Sequence, residues 1–258
     1  MFSTWISRFS NKFVEFFEFI NIFIFRDKAM DKETKQALLE HLSQFISENK
    51  NSLFQKIIEN RTRYLTVVLE DIYQPHNASA VLRSCDCFGI QDVHIIENQN
   101  IYEVNPDVAL GSSKWLNLIK YTEAANNTPS AIRALKEKGY RIVATTPHKD
   151  DVNLQALDLS KEPVALLFGT EMRGLTDDAL AMADEYMKIP MYGFTESFNI
   201  SVSAALCLFY LSEKLRNSDI LWQLTEEEKL DVQLDWTRQV LKMSDLVEKK
   251  FLEGLQNK

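Results

Sequence analysis

The stretch VALLFGTEMRGLTDDALAMADEYMKIPMYGFTESFNISVSAALCLFYLSEKLR, residues 164–216, decides the fold class. It opens on VALLF at 164–168, a continuous apolar run of strand length, then crosses a glycine-bearing loop into a short helical pattern over 177–183. YMKIP at 186–190 is strand-like again, and residues 199–216 read as one buried helix. Toward the N-terminus, LTVVL at 65–69, VHII at 93–96 and RIVAT at 141–145 are further strand candidates. Helical patterns lie between them at 78–88, closed by Gly89, and at 130–138, stopped by Gly139. Strands alternating with helices predict an α/β protein, a parallel sheet flanked by helices. Residues 35–60 carry apolar side chains at helical spacing, and 226–255 read as one or two charged surface helices.

With 258 residues and 45% hydrophobic content, the chain can bury one sizeable core plus appended helices. A net charge of −8 excludes indiscriminate polyanion binding, so a nucleic-acid role requires a local basic surface. Cys85, Cys87 and Cys207 form no C-x-x-C pair, which predicts neither a disulfide framework nor a metal site and fits a reducing, cytoplasmic compartment. Eight of the sixteen phenylalanines precede Asp27. FVEFFEFINIFIF at 13–25 contains Glu15 and Glu18 and falls short of the roughly 20 apolar residues a membrane span needs. The carboxylates and the lack of a small-residue cleavage site also exclude a secretory signal. Residues 1–30 are therefore either an aromatic helix for a partner or membrane surface, or a leader outside the working protein, with Met30 as the start; the second is favoured.

Three short blocks carry the polar groups that chemistry would use: PHNASAVLRS at 75–84, LLFGTEMRG at 166–174 and IPMYGFTESFNISVSAAL at 189–206. Each sits where a strand pattern passes into a helix pattern, the place where open α/β sheets bind ligands. Asn77 alone reads as a helix N-cap. Arg83, among Val81, Leu82, Cys85 and Phe88, must find an anion if it is buried: Asp71, Asp86 or Glu171 as a structural partner, or a phosphate. Gly169, directly after a strand, lets a ligand approach the backbone, while Glu171 alone reads as a solvated loop carboxylate. Pro190 and Gly193 shape a turn, and Ser197 and Asn199 stand where the long helix begins, to cap it or to hold a ligand's carboxylate.

Taken together, N-x5-R from Asn77 to Arg83, F-G-x-E-x-x-G from Phe168 and I-P-M-x-G-x3-S-F-N-x-S-V from Ile189 resemble the SpoU class of the SPOUT methyltransferases, in its tRNA (guanosine-2'-O)-methyltransferase branch. The resemblance runs from about Leu65 to Arg216, and LGSSKWL at 110–116 is similar to the segment joining the first two motifs. Phe198 departs from the leucine more usual in the class, keeping an apolar wall. The resemblance implies S-adenosylmethionine as methyl donor, a C-terminal deep trefoil knot and a homodimer whose active site uses both subunits. It implies a donor pocket around Thr145, Gly169, Ile189, Met191 and Phe198, and a catalytic set of Asn77, Arg83, Glu171, Ser197 and Asn199. It divides the chain into an atypical leader at 1–30, an N-terminal helical extension at 31–63, a methyltransferase domain at 64–216 and a C-terminal helical extension at 217–258.

The short flanking helices resemble the tRNA-modifying arrangement, which implies guanosine 18 of the tRNA D-loop as target. Ribosomal RNA and a non-catalytic RNA-binding role are the alternatives. The basic groups expected to meet RNA are Arg61, Arg63, Lys114, Lys214 and Arg216. A dinucleotide-dependent enzyme is disfavoured, because only seven glycines occur and no G-x-G-x-x-G follows a strand.

Overall fold

The computed structural model describes residues 30–103, 105–147, 152–170 and 173–256. The aromatic leader up to residue 29, and Glu171, lie outside the described residues. The described chain divides into two compact units, one of residues 59–224 and one that joins residues up to 58 with those from 225.

The larger unit is built on a seven-stranded sheet. Its strands are β1 (Leu65–Glu70), β2 (Asp92–Ile96), β3 (Asn117–Tyr121), β4 (Arg141–Thr145), β5 (Val152–Asn153), β6 (Val164–Phe168) and β7 (Glu185–Lys188), ordered β3-β2-β1-β6-β4-β7-β5. All six pairings are parallel. The helices are α3 (Pro75–Cys87), the short α4 (Pro106–Ala109), α5 (Thr128–Glu137), α6 (Asp177–Met182) and α7 (Ile200–Arg216); α1 and α2 belong to the smaller unit.

The period of two along β6 explains why the sheet is covered on both faces. Val164, Leu166 and Phe168 point into a core closed by Val81, Leu82 and Cys85 of α3 and by Cys207, Leu208 and Leu211 of α7. Ala165 and Leu167 point into a second core with Ala131, Ile132 and Leu135 of α5 and Ala179 of α6. Each fully buried leucine or valine here contributes roughly 1.5–3 kcal/mol relative to exposure. VALLF and RIVAT read as buried strands because both of their faces are apolar.

Two strands have no counterpart in the sequence reading. β3 pairs with β2 alone, is only partly buried and alternates weakly in NLIKY, while β5 is two residues long at the opposite edge. Edge strands of this kind carry little hydrophobic signal. The helix at residues 199–216 also differs from a fully buried one: Val202, Leu206 and Phe209 remain exposed, with Phe198 just ahead of them, at a spacing that keeps them on one side.

In the smaller unit, the helical pattern of 35–60 breaks into α1 (Lys32–Ser43) and α2 (Glu48–Ile58). The C-terminal pattern is two helices, α8 (Glu226–Val240) and α9 (Ser244–Gln256). Leu38, Leu39 and Leu42 of α1 pack on Leu230 and Leu234 of α8, so helices from the two ends of the sequence share one core. Lys35 ties to Asp231 at 2.7 Å, and Thr225 and Glu228 cap α8 reciprocally. Among the described residues no helix is long and apolar enough to cross a membrane.

Gly89 ends α3 as the sequence predicts. Its N–H donates to the Asp86 carbonyl at 3.1 Å and the Ile90 N–H to the Cys85 carbonyl at 2.9 Å, with Gly89 at φ +78°. A Cβ there would lie 2.3 Å from the Asn60 carbonyl oxygen. Gly89→Ala is expected to cost at least about 1–2 kcal/mol, from the left-handed backbone alone, read as a lower urea midpoint at an unchanged denaturant slope.

Candidate functional site

β4, β6 and β7 are neighbours running the same way, so their carboxyl ends release three loops side by side. Thr145 ends β4, Gly169 follows β6, Ile189 and Met191 follow β7, and Ser197 and Phe198 precede α7. All six line one cleft of about 330 Å³. Phe168 and Ile200 extend its apolar wall, and Thr146 and Ser203 add hydroxyls. This size and mixture suit a nucleoside-scale ligand. The Thr145 hydroxyl donates to the Leu167 carbonyl at 2.6 Å, which fixes the β4 end of the wall against β6.

Gly169 lines the cleft, and its missing side chain also makes room for the rest of its own loop. A Cβ built on it would stand 2.2 Å from the Gly174 carbonyl oxygen and 2.4 Å from the Leu175 nitrogen. The space is filled by the returning backbone of its own loop. Thr170 and Gly174 close that loop through paired backbone hydrogen bonds of 3.0 and 2.9 Å, with Gly174 at φ +69°. Beyond it, the buried carboxylate of Glu70 accepts from the Thr176 N–H at 2.9 Å, the Thr176 hydroxyl at 2.7 Å and the Thr128 hydroxyl at 2.5 Å. Thr176 caps α6 in turn, accepting from the Ala179 N–H, so Glu70 anchors the far side of the loop to the end of β1.

Asn77 is not an N-cap. The helix starts at Pro75, which suits the first helical position, and buried Asn77 lies within the first turn, donating to Gln74 Oε1 at 2.9 Å. Its Oδ1 accepts from Asn199 Nδ2 at 3.2 Å, joining the first and third sequence blocks across the sheet end. Asn199 does cap α7, its Oδ1 accepting from the Ser201 N–H at 2.9 Å and the Ser201 hydroxyl at 2.6 Å. Asn77 opens on a second cleft of about 320 Å³, walled by Tyr73, Gln99 and Asn100.

Asp71 organises that wall. It turns the end of β1 into the left-handed region at φ +55°, and its Oδ1 accepts the N–H groups of Asn98, Gln99 and Asn100 at 3.0, 2.7 and 2.8 Å. The carboxylate is thus occupied by a nest of amides and not by a cation.

Arg83 corrects the sequence reading of a guanidinium buried in an apolar helix. It is solvent-exposed on α3, about 9 Å along the axis beyond Asn77, and lines none of the clefts at the strand ends. Of the anions offered to it, Asp71 holds amides, Asp86 pairs with Arg61, and Glu171 lies outside the described residues.

The basic set divides in the same way. Arg61 is buried, with its guanidinium on Asp86 and on the Ile90 carbonyl at 3.2 Å, so it presents no face to RNA. Lys214 donates to the carbonyls of Leu157 at 2.6 Å and Gln155 at 3.2 Å. Arg216 donates to Asn60 and Phe88 carbonyls and lies over the Trp222 ring at 5.1 Å, where burial lowers its pKa. Arg63 pairs with Asp92 at 3.1 Å, and Lys114 is exposed on the short turn Ser112–Trp115. Cationic side chains in these segments act largely as ties between loops, which the sequence does not distinguish from surface charge.

The sequence reading passes over Glu70 and Arg173 and takes Asp71 only as a partner for Arg83. Glu70 and Asp71 end a strand as adjacent carboxylates, and Arg173 sits in a glycine-bounded loop after a buried strand. Such a placement is the available signal. His94 is no candidate base: it is buried against the Tyr121 hydroxyl at 2.9 Å, and burial pushes its pKa down to about 3. All three cysteines are free, and among the described residues no group of three or more His, Cys, Asp or Glu side chains could hold a metal ion.

A doubly covered parallel sheet with a ligand-sized cleft at the carboxyl ends of adjacent strands defines an α/β ligand-binding protein of the open-sheet class. Its family pattern is that of the SpoU rRNA Methylase family, matched over residues 64–209, and the chain belongs to that family. It is similar to the tRNA (guanosine(18)-2'-O)-methyltransferase of Borreliella burgdorferi, at 46% identity over 80% of this chain and 93% of that one. The crystal structure of an A. aeolicus TrmH/SpoU tRNA modifying enzyme is similar at TM-score 0.67 and 27% identity, over 76% of this chain and 98% of that one. The SpoU methyltransferase AviRb of Streptomyces viridochromogenes, solved in complex with the cofactor AdoMet, shares the fold at TM-score 0.53 and 22% identity, over 63% and 65% of the two chains.

Gly169→Ala tests the loop. The new methyl group meets backbone on three atoms closer than 2.5 Å, so the loop must shift. The variant is expected to lose roughly 1–3 kcal/mol, as overpacked cores do, and to lose nucleoside-ligand binding measured by calorimetry beyond the change in stability.

Proposed function

We propose that this protein transfers a methyl group from S-adenosylmethionine to the ribose 2'-hydroxyl of guanosine 18 in the tRNA D-loop. The observation that carries the reading is the single cleft lined by Thr145, Gly169, Ile189, Met191, Ser197 and Phe198, residues drawn from separated parts of the sequence. The donor fits it in volume and chemistry: apolar side chains of Ile189, Met191 and Phe198 for a purine, and hydroxyls of Thr146, Ser197 and Ser203 for a ribose and a zwitterion. Family membership, the relative of named specificity and the fold-mate solved with AdoMet support the same assignment.

When bound, the donor supplies an electrophilic methyl on a sulfonium. The protein's part is to align the acceptor oxygen and to stabilise charge that develops on it. The Asn77–Asn199 pair holds the junction of the two clefts, and Ser197 faces the same opening. Arg83 is the group for the nascent alkoxide and its neighbouring phosphate; a guanidinium, which offers donors and no acceptor, does not take the proton. The proton leaves to phosphate, to Glu171 or to water.

Because Arg83 lines none of the three clefts described at the strand ends, we assign it to the site of a second copy in a homodimer. The exposed stripe of Phe198, Val202, Leu206 and Phe209 on and ahead of α7 supports that assembly. Phe88 at the end of α3 meets Phe209 with ring centroids 6.2 Å apart, so the Arg83 helix borders the stripe. A deep trefoil knot in the C-terminal part of the sheet unit belongs to the same reading, with β6 lying between β1 and β4. In this reading residues 64–216 are the methyltransferase domain, the helices at 31–63 and 217–258 are extensions for tRNA, residues 1–30 are a leader, and the free thiols suit the cytoplasm.

The purified protein, given labelled S-adenosylmethionine with total tRNA and with ribosomal RNA, is expected to label tRNA as 2'-O-methylguanosine at position 18. Label confined to ribosomal RNA would move the target, and binding of tRNA without label would leave a non-catalytic RNA binder. Arg83→Ala is expected to lose about 100-fold in kcat, the order found when one charge-stabilising donor is removed, and Arg83→Lys at near-normal turnover would argue against a forked contact.

A further inference from the structure

Arg173 has no part in the machinery described so far. Its backbone is fixed from both sides, by the Thr170–Gly174 closure and by its own N–H donating to Thr170 Oγ1 at 3.1 Å. Its side chain is exposed and, among the described residues, makes no hydrogen bond and no ion pair. Arg61, Arg63, Arg141, Arg216 and Arg238 differ, each being engaged with carboxylates or carbonyls. Arg173 also lies where three clefts meet. It lines the donor cleft with Ser197 and Phe198, the second cleft with Asn77 and Gln74, and a third of about 480 Å³ with Asn98 and Asn126.

A guanidinium carries five N–H donors in a planar fork that matches a phosphate, and with no counter-ion on it among the described residues, in a molecule of net charge −8, it is available to an anion from outside. We propose that Arg173 clamps a backbone phosphate flanking the acceptor ribose, from the same protomer whose cleft holds the methyl donor. The inference rests on the reading of that cleft given above. An RNA phosphate suits the position better than the donor's own carboxylate. Two of the three clefts that Arg173 borders lack the donor-cleft walls Ile189, Met191 and Phe198, and a strand crossing the mouths of all three passes this one side chain. The two guanidiniums then divide the work. Arg83 of one copy serves the reacting oxygen, and Arg173 of the other sets the register of the strand, a positioning role.

The test is Arg173→Gln, which removes the charge without disturbing any contact of the described residues. Binding of unmodified tRNA is measured over a salt series without donor, donor binding by calorimetry, and turnover against tRNA concentration. The slope of log K against log salt is expected to fall by about 1, the share of one phosphate contact. KM for tRNA should rise about tenfold near 0.15 M salt, with kcat at saturating tRNA within about twofold and donor affinity unchanged. Arg173→Lys should restore the slope but not the whole of KM, since a point charge replaces a fork. An unchanged salt slope overturns the proposal, and weaker donor binding at an unchanged slope reassigns Arg173 to the donor's carboxylate. Absence of methylation by the unsubstituted protein would instead sink the reading of the cleft, and this inference with it.

Discussion

A tight backbone approach at the strand ends shapes the candidate site: the carbonyl of Gly174 occupies the volume a side chain on residue 169 would need. Because the loop after β6 folds back on its own first residue, its outer turn is drawn tight and the cleft wall at Gly169 is bare backbone. Glu70 holds the far end of the loop through Thr176, and the β1 terminus that carries Glu70 also carries Asp71, which gathers the amides of 98–100. Three loops from distant parts of the chain are therefore referred to two adjacent carboxylates. Both are multiply hydrogen-bonded and Glu70 is buried as well, so each is costly to disturb and rigidifies what it touches.

Much of this is legible in the residues, for reasons that differ by element. β4 and β6 are read to the residue because both faces of each strand are apolar and each is bounded by breakers. β3 and β5 are not, since an edge strand needs a partner on one side only and tolerates polar side chains. The break between α1 and α2 is hidden because apolar spacing continues through it, although Ser43 to Ser47 offers little to hold a helix together.

The donor-cleft residues are legible because they sit at strand-to-helix junctions, and parallel neighbours must bring such junctions together. The cationic residues are not. Whether Arg61 faces solvent or Asp86 depends on a partner 25 residues away, and nothing in RTRYL indicates it. Arg83 illustrates the opposite error: apolar neighbours in sequence indicate burial, yet at 100° per residue they lie on other faces of the helix. Asn77, read as a cap, is displaced from that role by Pro75 two positions earlier, whose fixed φ begins the helix sooner.

The pairing of β1 with β6 carries a consequence for how the protein is made. Leu65 aligns with Val164, so the central ladder joins segments separated by much of the larger unit, and closing so long a loop costs entropy before any contact offsets it. A chain emerging from the ribosome exposes the apolar edge of β1 until VALLF appears, and the wall at Phe198 appears later still. Competence for ligand arises only after Phe198 has been made, and until then the half-sheet with its uncovered apolar edge is open to misassembly or chaperone capture.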